Sequence, residues 1–225
     1  MSKPIAYVLS TRELSAALVE KAAAKGVVID SLSFIAIEPM KAVDLPGASA
    51  VVVFTSVNAA EAAGAVDGSG WKIFCTSGAT RHKVAKRFGE AAIAGTADSA
   101  AELAATIVGE GWVKAVWFFC GDLRRNELPA GLKQAGIQVH EVVVYRTKLT
   151  PQKIGRKYDG IAFFSPTAVE SFFSANRIPA HTRLFAIGAT TAGAIRRYCD
   201  NPVTTSERPD TELLINQIIH DNTEE

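Results

Sequence analysis

The chain has 225 residues, of which 48% are hydrophobic and 21% charged, and its formal net charge is +1. That length accommodates one large domain or two of about 110 residues, and the composition is that of a soluble globular protein. The near-neutral balance argues against a broadly basic nucleic-acid surface, and no apolar run reaches the roughly 18 to 20 residues of a membrane helix.

The first apolar run, residues 5–9, reads as a strand. It is too short for a signal peptide and carries no cleavage-like site, so a cytoplasmic protein is expected. Further apolar, β-branched or aromatic runs follow at 27–37, 50–55, 72–76, 91–95, 115–120, 137–147, 160–165, 183–187 and 202–205. Between them, apolar residues recur at helical spacing. Leu14, Leu18, Val19 and Ala22 form one such face; Leu103, Ile107 and Val108 form another; Leu213, Leu214, Ile218 and Ile219 form a third. Thr11, Ser56, Ser77 and Asp98 are expected helix N-caps, and Asp210-Thr211 precedes the last helix. Gly26 and Gly136 each follow a helix and precede a strand, where a left-handed cap suits glycine. The alternation predicts an α/β protein of two doubly wound, flavodoxin-like lobes, each with a parallel sheet.

The chain also lines up with itself at a shift of 110 residues. Gly26 falls on Gly136, Phe54 on Phe164, Gly78 on Gly188, Ala79-Thr80 on Ala189-Thr190 and Arg87 on Arg197. A constant shift over most of the chain predicts an internal duplication, and a cleft between two such lobes is a common ligand site. The runs 27–37 and 137–147 are about twice as long as the others and are followed by Pro39 and by Leu149-Thr150-Pro151. The preferred division is therefore a first lobe of 1–36 plus 150–225 and a second of 37–149, joined by a two-stranded hinge. Simple halves, 1–110 and 111–225, fit the repeat equally well by arithmetic.

Cys75, Cys120 and Cys199 are too far apart for a zinc knuckle or a redox pair, and four scattered histidines show no metal-ligand spacing. No GxGxxG, Walker or GxSxG motif is present. What remains are the strand-to-helix junctions, where an open α/β sheet presents its ligand. They are rich in hydroxyls and glycine and, apart from Asp122, poor in carboxylates. The candidate ligand contacts are Arg12, Thr55, Ser56, Asn58, Gly78, Thr80, Arg125, Ser165, Thr167, Gly188, Thr190 and Thr191. Any one junction reads best as simple capping; six together suit an anion, because helix N-termini offer unpaired donors. Arg12, Arg81, Lys83, Arg124, Arg125, Arg146 and Lys148 lie at or near the same mouth, which is expected to be positive and suited to a polyanionic small molecule. Tyr145, near the end of a long strand, is the one candidate acid. On spacing alone it reads as an ordinary half-buried strand tyrosine.

Taken in order, Phe54-Thr55-Ser56-Val57-Asn58-Ala59, Phe164-Ser165-Pro166-Thr167-Ala168, Ile187-Gly188-Ala189-Thr190-Thr191-Ala192 and Val144-Tyr145-Arg146-Thr147 resemble the uroporphyrinogen-III synthases. The Thr11-Arg12 turn and the segment from Gly121 to Arg125-Asn126-Glu127-Leu128 belong to the same likeness, which covers nearly the whole chain. The resemblance implies two α/β lobes with the active site between them. It implies cyclisation of hydroxymethylbilane to uroporphyrinogen III, with inversion of ring D, loss of water and no metal or organic cofactor. It makes Tyr145 the general acid and places Thr80, Ser165, Thr190 and Thr191 along the substrate. Ala189 departs from the pattern, standing where many relatives carry proline. Transient contact with the upstream bilane synthase is a further expectation; nucleic acid and membrane are not expected partners. The alternative is a two-lobed module that clamps a small anion without chemistry.

Overall fold

Val51–Phe54 and Gly160–Phe163 are buried at every position. Strands covered on both faces are the mark of a parallel sheet sandwiched by helices. A computed structural model describes residues 4–40, 44–63 and 66–223. The elements begin with β1 (Ala6–Ser10), α1 (Ala16–Ala23), β2 (Val27–Ser31), β3 (Ile35–Pro39), β4 (Val51–Phe54) and α2 (Val57–Ala62). They continue with β5 (Lys72–Thr76), α3 (Ala79–Phe88), β6 (Ile93–Ala97), α4 (Ala100–Gly109), β7 (Ala115–Gly121), α5 (Glu127–Gln134) and β8 (Gln138–Leu149). The last are β9 (Gly160–Phe163), α6 (Pro166–Ala175), β10 (Arg183–Ala186), α7 (Ala189–Ile195), β11 (Val203–Thr205) and α8 (Thr211–Thr223). None of the described helices is long and apolar enough to cross a membrane.

The chain divides into two compact units, Met1–Ala36 with Lys148–Glu225, and Ile37–Thr147. The first carries a sheet of order β11-β10-β9-β1-β2, with every neighbouring pair parallel. Alternate strand residues supply a core on each face. Leu9, Ile161, Phe163 and Leu184 pack with Phe172 and Phe173 of α6 on one side. Val8, Val27 and Phe185 pack with Leu214, Ile215 and Ile218 of α8 on the other.

The second sheet has the order β3-β8-β7-β4-β5-β6. Val53, Phe74, Val116 and Phe118 pack against Leu103 and Ile107 of α4 and Leu128 of α5. Val52, Phe54, Ile73 and Phe119 pack against Ala59 of α2, Val84 of α3 and Trp71. Each fully buried aliphatic or phenylalanine side chain contributes roughly 1.5 to 3 kcal/mol by its removal from water. Strands from β4 to β8 pair in parallel. β3 differs: Thr150 N–H bonds to Phe34 O and Met40 N–H to Val144 O, so residue numbers run in opposite senses along it and β8. The strands that a 110-residue shift would relate (β1 with β7, β2 with β8, β9 with β4) occupy the same relative places in the two sheets.

Two expectations need correction. The run 27–37 is not one strand: β2 ends in the first sheet and β3 begins in the second. At the break, Phe34 turns fully into the first unit's core, edge-on to Phe172 at 5.1 Å. Ser33 keeps the break satisfied in hydrogen-bond terms, its Oγ donating to Ile35 O and its carbonyl accepting from Gln152 Nε2. The caps also shift. Ser56 caps α2 as expected, but Ser99, not Asp98, caps α4, and α1 and α3 begin after Ser15 and Gly78 rather than Thr11 and Ser77. Thr11 instead donates its hydroxyl to Ala162 O at 2.9 Å, stitching β1 to β9. Asp210 accepts the Leu213 N–H at 2.9 Å at the start of α8. Gly26 and Gly136 have φ of +81° and +76°, the left-handed conformation their positions called for.

Candidate functional site

Open α/β sheets bind ligands at the carboxyl ends of their strands, where the strand order reverses direction. That point lies between β1 and β9 in the first sheet and between β4 and β7 in the second.

In the second unit, β4 leads through Thr55 and Ser56 into α2. Ser56 Oγ accepts the Ala59 N–H at 3.1 Å; Thr55, Ser56 and Asn58 are all half-buried. On the other side of the reversal, β7 ends at Gly121, which stands level with Tyr145 of β8 after a one-residue register shift. A Cβ on Gly121 would lie 2.4 Å from Cζ and 2.7 Å from Oη of Tyr145, so the ring rests against the bare Cα. The phenol Oη is 3.5 Å from Ser56 Oγ. Asp122 fastens the strand around Tyr145: its N–H donates to Tyr145 O at 3.1 Å, and its Oδ1 accepts the Thr147 N–H at 2.9 Å. The inner part of the ring packs on the cluster that holds Phe54, Phe119 and Val144. Tyr145 is thus packed against a core cluster, with a glycine beside the outer edge of its ring and a hydroxyl at its tip.

On the far side of β4, β5 leads through Ser77 into Gly78, exposed at a φ of +68°, and into α3, where Thr80 is buried. Arg125, after β7, is exposed. The positive field expected here is weaker than the count of cations suggested. Arg124 makes a bidentate pair with Glu141 at 2.6 and 2.7 Å, a bond that raises its pKa further. Arg81 pairs with Glu90 at 2.8 Å, Lys83 with Glu61, and Arg146 with Asp122 at 3.8 Å. Each of these cations meets a carboxylate that offsets its charge.

In the first unit, the neighbouring strands β1, β9 and β10 carry the remaining candidates. Arg12 follows β1, with its guanidinium carbon 5.2 Å from the centre of the Phe164 ring; the residue is exposed, yet desolvation of the guanidinium lowers its pKa from the ordinary value. Ser165 caps α6, its Oγ accepting the Ala168 N–H at 3.1 Å, and Thr167 is half-buried in the first turn. Gly188 opens α7, Thr190 is exposed, and Thr191 is buried with its N–H on Gly188 O. A Cβ on Gly188 would meet nothing within 4 Å, so the protein itself leaves that space open.

The candidates therefore form two groups: Thr55, Ser56, Asn58, Gly78, Thr80, Arg125 and Tyr145 at the carboxyl rim of one sheet, and Arg12, Ser165, Thr167, Gly188, Thr190 and Thr191 at that of the other. Reading the sequence did not anticipate the close approach of Tyr145 to Gly121. The available signal was a glycine closing an apolar strand, which often marks a close approach of another group. A cavity of about 790 Å³ lined by Trp71, Arg87 and Phe88 opens at the other end of β5 and touches none of these candidates.

Comparison with known proteins bears on this arrangement. The family model described as uroporphyrinogen-III synthase HemD matches residues 16–216. A curated uroporphyrinogen-III synthase from Saccharomyces cerevisiae is 29% identical over 123 residues, 45% of this chain and 43% of that protein. The match thus spans less than half the length of that relative. The fold is that of the crystal structure of uroporphyrinogen-III synthetase from Helicobacter pylori 26695, with a TM-score of 0.71 at 15% identity, over 97% of this chain and 99% of the other. A mutant uroporphyrinogen III synthase from the extremely thermophilic bacterium Thermus thermophilus superposes with a TM-score of 0.56 at 14% identity, over 96% and 99% of the two chains. Nothing in these likenesses supports the clamp without chemistry.

Proposed function

The chain belongs to the uroporphyrinogen-III synthase family, and from that membership we propose that it cyclises hydroxymethylbilane to uroporphyrinogen III with loss of water. The single observation that carries the chemical part of this reading is the seat of Tyr145. A phenol is held at the carboxyl end of its sheet, beside the reversal of strand order, with its tip at a serine hydroxyl. A general acid is what departure of the hydroxymethyl oxygen requires. The phenol gives its proton to that oxygen, the carbon–oxygen bond breaks with its electron pair going to water, and the pyrrole left behind is electrophilic.

The open-chain substrate carries many carboxylates and closes unaided to the wrong isomer. The protein's larger task is therefore to select a conformation. Holding the reacting ends together is worth roughly 7 to 11 kcal/mol in favourable cases. The hydroxyls and backbone N–H groups of Thr55, Asn58, Thr80, Ser165, Thr167, Thr190 and Thr191 suit that task, with Arg12 and Arg125 adding charge. Gly78 and Gly188 let a carboxylate approach the backbone. This set grips anions without a strongly positive field, which agrees with the many rim cations already paired. We place the reaction in the cytoplasm, where transient contact with the bilane synthase would limit loss of substrate to spontaneous closure.

The test is to supply enzymatically generated hydroxymethylbilane and separate the type I and type III isomers. The wild-type chain is expected to yield type III; only type I would refute the reading. Tyr145→Phe is expected to lower turnover by about 10²- to 10⁴-fold, the usual range for a lost general acid, with the thermal midpoint unchanged. Unchanged turnover would remove Tyr145 from the chemistry.

A further inference from the structure

We infer that Gly121 and Ser56 are positioning residues for Tyr145: Gly121 provides the space its ring occupies, and Ser56 orients its proton outward. The inference rests on the reading of Tyr145 as the proton donor. Its two halves come from different observations.

The seat comes from sterics. Any side chain on Gly121 would bring a Cβ within 2.4 to 2.7 Å of Cζ, Cε2 and Oη of Tyr145, distances that real Cβ contacts do not reach. The glycine is not required by its own backbone, since it is absent from the positive-φ positions. It is a buried residue at the end of a strand, and what it makes room for is the phenol. The register shift between Cys120 and Gly121 sets the two residues opposite each other, and Asp122 locks that register from both sides.

The proton's direction comes from hydrogen-bond arithmetic. A serine hydroxyl has one proton to donate and two lone pairs to accept with. Ser56 Oγ already accepts the Ala59 N–H, which leaves its own proton free to be donated. Tyr145 Oη lies within reach at 3.5 Å, a long approach of the kind that tightens when substrate closes a site. If Ser56 donates, the phenol's own proton points away from Ser56 and towards the ligand. The same bond strengthens as the phenol oxygen becomes negative, because hydrogen bonds to charged groups are stronger. Ser56 loses no proton in this step: Tyr145 transfers one proton to the departing oxygen, and Ser56 supplies a bond to the phenolate that remains.

The experiment is a double-mutant cycle on type III formation, with chemical mapping of the ring. Ser56→Ala is expected to lower kcat roughly tenfold, the size of one hydrogen bond to a developing charge, with KM nearly unchanged; Ser56→Thr, which keeps the hydroxyl, should recover most of it. In the Tyr145→Phe background, neither Ser56→Ala nor Gly121→Ala should cost any further turnover. Additive losses in that background would overturn the positioning role, since a structural defect costs the same with or without the phenol. Nitration by tetranitromethane, located by peptide mass, reads the seat without reference to activity. Gly121→Ala is expected to raise modification of Tyr145 severalfold while Tyr7, Tyr158 and Tyr198 stay as in the wild type. Unchanged nitration of Tyr145 would overturn the seat. A wild-type chain that forms no type III isomer would sink the proposed function, and the proton-directing half with it, leaving the seat to be decided by nitration alone.

Discussion

Gly78 and Gly188 open α3 and α7 from matching places in their sheets, yet they do different work. Gly78 sits at a φ of +68°, where an L side chain is strained, whereas Gly188 at 179° is plain extended backbone. Neither has an atom within 4 Å of where a Cβ would stand. Gly78→Ala should therefore cost about 1 kcal/mol or more of stability through its backbone, seen as a lower denaturation midpoint. Gly188→Ala should leave the midpoint in place and still reduce type III formation, because its methyl would occupy space that the protein leaves open for a carboxylate. Equal thermal effects of the two would refute this division. The pair also shows what a sequence reveals at this scale. Both glycines were legible as strand-to-helix junctions, because a glycine between a strand and a hydroxyl-rich helix start is a local signal. The conformation of each was not, since that depends on how the turn meets its sheet. Gly121 was harder still, because its partner lies on another strand and the register carries a one-residue shift that no periodicity encodes.

At the scale of elements, the parallel strands and most helices were readable because burial on both faces leaves unbroken apolar runs such as 51–54 and 160–163. The run 27–37 misled because it reads as one long strand. Asp30, Ser31 and Ser33 interrupt its apolar residues, and residues 27–31 serve one sheet and 35–39 another. Phe34 between them leaves the strand to fill the core against Phe172 and α6. A turn dictated by a distant pocket is invisible to a local pattern. The helix starts show a milder form of this: at α4 the Glu102 N–H donates to Ser99 Oγ, and the Glu102 carboxylate reaches back to accept the Asp98 N–H, so Asp98 takes part through its backbone and not as the side-chain cap. Because Phe34 is wholly buried, Phe34→Ala should cost about 3 to 5 kcal/mol, the usual range for deleting a core phenylalanine. Phe34→Leu should cost clearly less. Chemical denaturation checks both, and a loss under about 1 kcal/mol for the alanine variant would mean that Phe34 does little to hold this core together.

At the scale of the whole molecule, ionisable groups are divided between the units in a way that separates their alkaline behaviour. Cys75 and Cys120 lie in Ile37–Thr147, and burial pushes both thiols up from an ordinary 9.0 to about 11. Tyr158 lies in the other unit, where burial, and then its hydrogen bond to Asp30, push the phenol up from 10.0 to about 12. In each case the folded state keeps a proton that the unfolded chain releases, so the stability it contributes is complete below the unfolded value and is lost as pH rises through the folded one. The unit with the two thiols should weaken between pH 9 and about 11, and its counterpart between pH 10 and about 12. The two can be watched separately, because Trp71, Trp112 and Trp117 all fall within Ile37–Thr147 and tryptophan emission reports that unit alone. In denaturant titrations, the emission midpoint is expected to fall first as pH is raised past about 9, ahead of the far-ultraviolet circular dichroism signal that both units share. Replacing Cys75 and Cys120 by alanine should flatten that early fall. If emission and circular dichroism midpoints stay coincident at every pH, the two cores unfold as one, and the division of the chain is one of architecture without independent stability.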